Sequence, residues 1–415
     1  MTKLDVIYIT IDDVCSGLFS SQVLKPLVKM AEIEPNRNFC LFVINRPWKY
    51  LEHRKKLKDI NKLFSVQKNI KLKYIPFLPP LRNVTKFKFL SKFATYLIGL
   101  ILLLYTNKNN SIYHTRGYWP CEAGLLVNLK PMIFEPRSLW NLENIAMGSI
   151  VRGTKAELYW NNLEKNCINQ SEKIISINTQ MVNYFTNNYK FFNKNKVIPI
   201  SFSKNDFFFD SEKRKEIREK LSLKNRNVFV YSGSFGMSKI GIKSIIKTII
   251  RLKQFSKNPH FLFLTPKYES SSVQYLVQKI GLNKTNFSLI HPNLNEISNY
   301  LSAADFGYHS LPPQPDSFTR MGTKIIEYLA VGLPVIVNKN VGAAAKIIDE
   351  QNFGFVIDDN TNNDDLSNNL KKISKINRDK IISYANQEYE ISSVAKKYIQ
   401  VYSEIDFTSS INFRT

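Results

Sequence analysis

Residues 320–336 read RMGTKIIEYLAVGLPVI and place one carboxylate, Glu327, in the middle of an apolar segment. Gly322 and Thr323 are residue types that can begin a helix, and the first N–H groups of a helix are free to bind an anion. The Gly-Leu-Pro sequence that follows predicts the end of this helix and the start of a buried strand. Glu327 could accept hydrogen bonds from two neighbouring hydroxyls, such as those of a ribose. The alternative is a solvated or salt-bridged surface glutamate.

A second candidate for chemistry is VFVYSGSFGMSKIGIKSIIKTIIRL, residues 228–252. The pattern predicts a strand, a turn at Gly233 and Ser234, and a long helix that begins near Lys239. Glycine lets the backbone approach a ligand closely, and Lys239 would add a positive charge for a phosphate. The segment has neither the GxGxxG nor the Walker A pattern, so a plain strand–turn–helix is the alternative to a phosphate-binding loop.

Two further segments, HTRGYW (114–119) and FEPRSLWNLENI (134–145), each follow an apolar strand. Loops at this position of an α/β sheet can reach a ligand. Arg116, Arg137 and Glu143 could therefore hold a diphosphate or sugar hydroxyls. The alternative for each is a structural role, because an isolated arginine at a strand end more often supports the fold.

The elements that must position these residues follow an alternating pattern of apolar strands and helices. Strands separated by helices indicate parallel βαβ units. The apolar runs of the first set are 5–11, 38–45, 70–78, 111–117, 130–137, 172–178 and 196–201. A polar segment, 201–213, interrupts the pattern, and the second set then comprises 227–236, 260–266, 286–292, 305–310, 332–338 and 352–358.

This pattern predicts an α/β protein with two doubly wound Rossmann-like domains that face each other across a cleft. A chain of 415 residues with 44% hydrophobic content is also too long for one ordinary core. We expect a first domain at 1–203, a second at 204–390, and a helical tail at 391–415 that either stays with the second domain or crosses back to the first.

Four scattered cysteines without a CxxC pair or a histidine cluster indicate a reducing compartment and no zinc site. The early acidic residues of MTKLDVIYITIDD argue against a signal peptide, so a cytoplasmic location is expected.

The formal net charge of +24 indicates a polyanion or an anionic surface as a partner. No acidic residue lies between Asp59 and Glu122, whereas ten lysines and arginines do: Lys62, Lys68, Lys71, Lys73, Arg82, Lys86, Lys88, Lys92, Lys108 and Arg116. This stretch, 60–121, also contains the apolar segment FKFLSKFATYLIGLILLLYT (87–106), whose uncharged part is shorter than a bilayer span. Such a segment is typical of a protein lying on an anionic membrane surface. A core helix with a solvated basic flank is the alternative.

Four segments between 196 and 358 occur together in the order found in one enzyme family. They are KVIPISFSKNDFF, YSGSFGMSKIG, NLNEISNYLSAADFGYHS, and GTKIIEYLAVGLPVI followed by VGAAAKIIDEQNFGFVID. The chain thereby resembles the retaining family 4 glycosyltransferases, which have the two-domain GT-B fold. The last segment is the most specific, since it resembles the signature that closes the nucleotide site. The first half resembles the family only in its architecture and around 111–119 and 130–143.

The resemblance implies roles for several residues. Glu327 matches the second glutamate of a paired motif that binds the ribose hydroxyls of a nucleotide sugar, and Gly322–Lys324 would lie beside its diphosphate and sugar. Thr319 stands where the resemblance implies the first glutamate of the pair, which usually contacts the donor sugar. Asp316 is a nearby substitute at the wrong spacing. On the donor side, the remaining implied positions are Gly233, Lys239 and Ser234, and Ser234 replaces a phosphate-binding arginine. On the acceptor or phosphate side, they are Gly17, Arg116, Glu143 and Arg137. Arg137 stands where many members have a histidine.

The implied activity is transfer of a sugar from a nucleotide diphosphate sugar to an acceptor hydroxyl, with retention and without a metal or other cofactor. Lys239, Glu327 and Arg137 are the residues expected to carry it. The acceptor would be a saccharide or a lipid-linked glycan of capsule, O-antigen or lipopolysaccharide biosynthesis, with the enzyme peripheral on the inner face of the membrane through 60–121. A sugar-nucleotide epimerase of the same fold is the first alternative. A basic nucleic-acid-binding protein is the second, although no nucleic-acid-binding motif supports it and no such partner is expected.

Overall fold

The computed structural model describes residues 3–77, 88–107, 110–189, 194–235, 239–358 and 361–412, without the side chains of residues 88, 239–241, 363 and 409–412. The chain forms two compact units, Met1–Ser201 with Ile391–Thr415, and Phe202–Glu390. The first unit therefore ends at Ser201, two residues before the predicted boundary. The two ends of the second unit meet in a parallel bridge between Phe202 and Glu390.

The first unit contains a seven-stranded parallel sheet with the order β3-β2-β1-β4-β5-β6-β7. Its strands are β1 (Asp5–Thr10), β2 (Phe39–Asn45), β3 (Ile70–Pro76), β4 (Ser111–Arg116), β5 (Met132–Glu135), β6 (Lys173–Ser176) and β7 (Asn195–Val197). The helices between them are α1 (Gly17–Phe19), α2 (Lys25–Ile33), α3 (Lys49–Ser65), α4 (Lys88–Tyr105), α5 (Tyr118–Leu126), α6 (Trp140–Ala146), α7 (Lys155–Gln170) and α8 (Thr179–Tyr189). A π-helical turn, Ser20–Leu24, joins α1 to α2.

The second unit contains a six-stranded parallel sheet with the order β10-β9-β8-β11-β12-β13. Its strands are β8 (Asn227–Ser232), β9 (Pro259–Leu264), β10 (Phe287–Ile290), β11 (Phe306–His309), β12 (Val335–Asn338) and β13 (Gly354–Ile357). Its helices are α9 (Ser211–Lys220), α10 (Lys239–Phe255), α11 (Ser270–Ile280), α12 (Ile297–Ala303), α13 (Thr323–Ala330), α14 (Gly342–Gln351), α15 (Asn363–Ile373) and α16 (Arg378–Tyr389). Short 3-10 turns lie at Lys267–Glu269, Leu294–Glu296 and Ser317–Thr319.

Both sheets have the Rossmann strand order, in which the direction of winding reverses beside the first strand. The reversal lies between β1 and β4 in the first unit and between β8 and β11 in the second. Most strands are predominantly apolar because helices cover both faces of a parallel sheet, although β4 carries the buried polar residues His114, Thr115 and Arg116. Ligands of such sheets bind beyond the carboxyl ends of the strands at this reversal point. In each unit, a ligand-binding site is therefore expected at this reversal point.

The last helix, α17 (Ile391–Asn412), belongs to the first unit. It contributes Val394, Tyr398, Val401 and Tyr402 to the core on one face of the first sheet. Its Asp406 accepts a hydrogen bond from Arg37 Nη2 at 2.6 Å. The chain thus leaves the first unit at Ser201 and returns to it at Ile391.

Helix α4 has two different apolar faces. One face is buried and approaches α5 so closely that a Cβ on Gly99 would lie 2.5 Å from the Ala123 carbonyl oxygen. The other face exposes Phe89, Phe93 and Leu104. Within the described residues, no helix combines the length and the apolarity that crossing a bilayer requires.

Candidate functional site

Helix α13 is fixed to strand β8 at the reversal point of the second sheet. The backbone N–H of Ser232 donates to the Tyr328 hydroxyl at 2.9 Å. Gly322 precedes the helix with φ of +73°, a conformation that favours glycine, and no side chain caps the helix. The first N–H groups of α13 therefore remain available to an anionic ligand.

Lys324, in the first turn of α13, lies against the turn that follows β8. Its Nζ donates to the Tyr231 hydroxyl at 2.9 Å and lies 4.1 Å from the centre of that ring. A Cβ on Gly233 would lie 3.5 Å from the same Nζ, and Gly233 has φ of +106°. The glycine thus leaves open space beside the lysine, which is where a phosphate could be held between a backbone turn and a positive charge.

Glu327 lies one turn further along α13 and is half-buried. Its carboxylate makes no hydrogen bond or ion pair with any residue that the structure describes. Burial raises the pKa of Glu327 to about 7, and the attraction of Lys324 offsets only part of this effect. Burial also lowers the pKa of Lys324 to about 8, against the attraction of Glu327 and Glu269. A lysine and a carboxylate with pKa values this close to neutrality are characteristic of functional sites.

The Gly-Ser turn after β8 contacts a second carboxylate that the sequence did not indicate. The Ser234 hydroxyl donates to Glu269, which is the buried last residue of the 3-10 turn after β9. Lys239 is the first residue of α10, but its side chain lies outside the described part of the chain. Its predicted contact with a phosphate therefore stays a prediction.

The position expected to hold the first glutamate of the paired motif has a local structural contact. Thr319 is buried, and its hydroxyl donates to the Asp316 carbonyl oxygen at 3.0 Å. The carboxylate of Asp316 is paired with Arg320 through Nε at 2.9 Å and Nη2 at 3.2 Å. Asp316 is therefore engaged in this ion pair and is not a free substitute for the missing glutamate.

His309 is a further candidate that sequence reasoning missed. It ends β11, next to the reversal point, and a Cβ on Gly322 would lie 3.6 Å from its ring. Its Nδ1 is buried and has no hydrogen-bond partner among the described residues. Burial, reinforced by the charges of Lys324 and Arg320, lowers the pKa of His309 well below its ordinary value. A neutral imidazole with an unused nitrogen thus lies under the start of α13.

In the first unit, the structure brings Arg116 and Arg137 together at the carboxyl ends of β4 and β5. Both guanidinium groups donate to Glu135 Oε1, Arg116 at 3.0 Å and Arg137 at 2.9 Å. Both also donate to Gln22. Arg116 is bound to Asp12 as well, at 2.6 Å, so its charge is matched within the protein. Arg137 is the more accessible of the two and has φ of +68°, a strained conformation for a residue other than glycine.

Glu135, which the sequence analysis did not single out, is the centre of this group. Its second oxygen accepts from Tyr8 at 3.1 Å and lies 2.9 Å from His114 Nε2. Tyr398 of α17 donates to its first oxygen at 3.1 Å. Burial alone would raise the pKa of Glu135, but Arg116 and Arg137 hold it well below the usual range. Glu135 therefore stays ionised and fixes the two arginines.

The other two predicted residues of the first unit lie apart from this group. Glu143, in α6, makes no side-chain hydrogen bond or ion pair with Arg116 or Arg137. Gly17 begins α1, is exposed, and a Cβ there would have no described atom within 4 Å. The structure thus unites two of the four residues predicted for the acceptor or phosphate side.

One group of metal-binding residue types exists within the described part of the chain. One ligand atom each of Asp13, Cys15 and His53 lies within 4.8 Å of the others. Sequence spacing did not reveal this group, because His53 is on α3 and the other two follow β1.

Residues 213–388 match the model of the family described as glycosyl transferases group 1. This range covers most of the second unit and includes Lys324, Glu327 and Glu269. No curated protein matches the chain in sequence. The family match thus concerns the second unit, which holds the candidate site described above.

Solved structures resemble the whole chain at low sequence identity. Sucrose-phosphate synthase from Thermosynechococcus elongatus has a TM-score of 0.69 at 14% identity, covering 98% of this chain and 100% of that one. Anabaena HepE in complex with UDP and glucose has a TM-score of 0.62 at 13% identity, covering 97% and 100%. A Listeria monocytogenes structure described as a UDP-N-acetylglucosamine 2-epimerase has a TM-score of 0.55 at 13% identity, covering 96% and 95%. These likenesses and the two parallel-sheet halves confirm the predicted GT-B fold.

Proposed function

We propose that the chain is a glycosyltransferase that moves a sugar from a nucleotide diphosphate sugar to an acceptor hydroxyl. One observation carries this proposal. Lys324, Gly233 and Glu327 form a set at the reversal point of the second sheet. A cation lies beside an open backbone turn, and one helical turn away is a carboxylate without a partner among the residues that the structure describes. This set has the donor and acceptor groups that a diphosphate and a diol require.

The nucleoside end of the donor is assigned to Glu327. A half-buried carboxylate without a partner is unfavourable unless a ligand supplies hydrogen-bond donors. The two hydroxyls of a ribose are such donors, and they would stabilise the ionised form of Glu327. A uridine nucleotide is the first candidate, because HepE was solved with UDP and glucose.

The diphosphate is assigned to Lys324, to the Gly233 turn and to the uncapped start of α13. Lysine, backbone N–H groups and a helix N-terminus together stabilise the charge that develops on a leaving diphosphate. Lys239 is proposed to add a second charge. We propose a metal-independent reaction with retention, in which the acceptor attacks on the face that the diphosphate leaves.

The acceptor is assigned to the first unit and is proposed to be a saccharide or a lipid-linked glycan for capsule, O-antigen or another surface polysaccharide. Arg137 is the candidate group that would contact a phosphate, since Arg116 is already paired with Asp12 and Glu135. A peripheral location on the inner face of the membrane follows from this acceptor. The exposed apolar face of α4 supports it, as Phe89, Phe93 and Leu104 share that face with the exposed Lys92.

The test of the donor site is calorimetric titration with UDP-glucose and related nucleotide sugars. Glu327→Gln keeps the size of the side chain but weakens a charged hydrogen-bond acceptor, so we expect binding to fall by about 10- to 100-fold. Glu350→Gln, an exposed position on α14, is the matched control and should bind like the native protein. Equal binding of nucleotide sugars by native protein and by Glu327→Gln would overturn the assignment of Glu327.

The reaction itself is tested by following the products by NMR with and without an acceptor. Transfer predicts a new glycoside whose anomeric configuration matches that of the donor. Epimerisation is the second candidate, because the epimerase likeness and the buried Glu269 beside Ser234 are compatible with it. A changed sugar configuration in the absence of acceptor would favour epimerisation over transfer.

The membrane proposal is tested by flotation with vesicles that contain or lack anionic lipid. We expect the native protein to float with anionic vesicles and Phe89→Glu to remain behind, because a charge on the apolar face opposes insertion. Leu51→Glu, at an equally exposed leucine of α3, should float like the native protein. Failure of the native protein to bind either vesicle would refute this location.

A further inference from the structure

The group formed by Asp13, Cys15 and His53 has a buried histidine at its base. His53 lies on α3 and has no exposed surface, whereas Asp13 is half-exposed and Cys15 is exposed. Asp13 and Cys15 belong to the loop that follows β1. The loop and the helix therefore approach each other through three side chains that all bind transition metals.

One ring nitrogen of His53 contacts a tyrosine hydroxyl, and the other makes no hydrogen bond among the described residues. His53 Nδ1 lies 3.2 Å from the Tyr74 hydroxyl of β3. His53 Nε2 is buried and makes no hydrogen bond among the described residues. Asp13 Oδ1 lies 3.0 Å from it and accepts a hydrogen bond from the backbone N–H of Cys15 at 2.9 Å. A buried nitrogen without a bond costs free energy. Metal-binding histidines commonly show this arrangement, with one nitrogen held by an outer partner and the other directed at the metal.

We propose that Asp13, Cys15 and His53 form a zinc site that links the loop after β1 to helix α3. An imidazole nitrogen, a thiolate sulfur and a carboxylate oxygen are the three ligand types that zinc takes, at about 2.0–2.3 Å each. The ligand atoms already lie within 4.8 Å of one another. Small movements of the two exposed side chains would bring them to a tetrahedral arrangement, with a water as the fourth ligand.

The charges around the group are compatible with a divalent cation. The thiolate and the carboxylate carry two negative charges when zinc binds, and zinc displaces the thiol proton. Lys56 and Lys49 are neighbouring positive charges that act on Cys15, and Glu52 is a neighbouring negative charge. Lys49 Nζ lies 3.9 Å from Asp13 Oδ2 but 2.7 Å from Glu52. Lys49 thus forms its close ion pair with Glu52, and it would keep this partner if Asp13 bound zinc.

The consequence of zinc binding is a fixed loop at the reversal point of the first sheet. Asp12, next to Asp13, accepts a hydrogen bond from Arg116 Nε at 2.6 Å. A metal that holds Asp13 and Cys15 would therefore restrict the residue that holds Arg116. The proposal does not depend on the proposed glycosyl transfer, whose predicted metal independence concerns the diphosphate-binding residues of the second unit.

The test uses the tag-free full chain, reduced and freed of metal by a chelator. Zinc titration by calorimetry should give one site per chain, and cobalt should give a thiolate-to-cobalt charge-transfer band in the near ultraviolet. Cys15→Ser should lose this band and bind zinc weakly, whereas Cys40→Ser, at a half-buried cysteine of β2, should retain both. Tyr74→Phe should keep the band and lose about tenfold in affinity, as expected for an outer partner of a ligand.

Two outcomes would overturn the proposal. The first is the absence of zinc binding by the native chain, in which case Asp13 and His53 form an ion pair only. The second is unchanged zinc affinity in Cys15→Ser. Because Cys15 is exposed, this variant is expected to fold, and thermal unfolding in the presence of chelator verifies that it does. Binding of UDP-glucose by Cys15→Ser, measured without zinc, separates failure of this proposal from failure of the donor-site proposal.

Discussion

Lys324 and Glu327 lie about one turn apart on α13, and burial moves their pKa values toward each other. The pKa of Glu327 is raised to about 7, whereas that of Lys324 is lowered to about 8. A donor of the proposed kind requires an ionised Glu327 for the diol and a protonated Lys324 for the diphosphate. Both forms coexist best between about pH 7 and pH 8, where the two titrations overlap.

We predict that UDP-glucose binding has an optimum in this window. Below it Glu327 becomes protonated, and above it Lys324 becomes neutral, so affinity should fall by about tenfold for each pH unit beyond either limit. Calorimetry from about pH 6 to pH 9 measures this, and the diphosphate of a nucleotide sugar does not itself titrate there. Lys324→Arg should lose the basic limb alone, because arginine stays protonated. A constant affinity over the whole range would contradict the assignment of both residues.

Protonation of Glu327, which is expected to weaken donor binding, should instead stabilise the second unit. The native pKa of Glu327 is above that of an unfolded glutamate, so the native state binds more protons and loses stability as pH rises through about 4.5 to 7. Glu327→Gln removes the cost of the ionised form and should stabilise the protein by about 1–3 kcal/mol at pH 8. The difference should vanish near pH 4. Thermal unfolding followed by far-ultraviolet circular dichroism at both pH values measures it, and a native protein more stable than the variant at pH 8 would refute the argument.

At this scale the sequence indicated residues whose own segment carries a recognisable pattern and missed residues that are marked only by their tertiary contacts. Glu327 and Lys324 lie on a single helix, so their spacing was informative. Glu135 is joined to His114, 21 residues away, and to Tyr398, 263 residues away, and no local pattern carries such contacts. His309 was missed because its unused Nδ1 is visible only once its surroundings are known.

At the scale of elements, the strands were predictable because burial on both faces leaves continuous apolar runs. Each strand in the described part of the chain lies within, or within one residue of, a predicted run, for example β8 within 227–236 and β11 within 305–310. The contacts that set the height of α13 above the sheet were not predictable. Gly307 of β11 is an instance, since a Cβ there would lie 2.4 Å from the Tyr328 ring.

Gly307→Ala is therefore predicted to displace Tyr328 and with it the start of α13. A new methyl group in a closely packed interface costs about 1–3 kcal/mol, and the shift of Lys324 and Glu327 should also weaken UDP-glucose binding. Unfolding and calorimetry measure the two effects. Adding Tyr328→Leu, which removes the ring, should recover part of the lost stability. A single variant with native stability and native binding would show that α13 does not depend on this contact.

At the scale of the whole molecule, the chain closes its first unit with its last helix. Helix α17 adds Tyr398 and Tyr402 to the core and to the hydrogen bonds around Glu135 and His114. The arginine–carboxylate group of the first unit is thus completed by residues that follow the entire second unit. A sequence pattern could indicate that the tail is helical, but the choice of unit is decided by tertiary contacts.

Asp406 of α17 pairs with Arg37, whose side chain is fully buried. Asp406→Asn leaves Arg37 with Glu34 and the Leu4 carbonyl oxygen as partners, and uncompensated buried charge is costly. We predict a loss of about 1–3 kcal/mol from the first unit. Tryptophan fluorescence during urea unfolding measures it selectively, because all four tryptophans, Trp48, Trp119, Trp140 and Trp160, lie in that unit. Glu404→Gln, on the same helix but in more exposed pairs with Lys173 and Lys196, should change the midpoint little. Equal effects of the two variants would mean that α17 is held by its apolar face alone and that the buried arginine tolerates the loss of its partner.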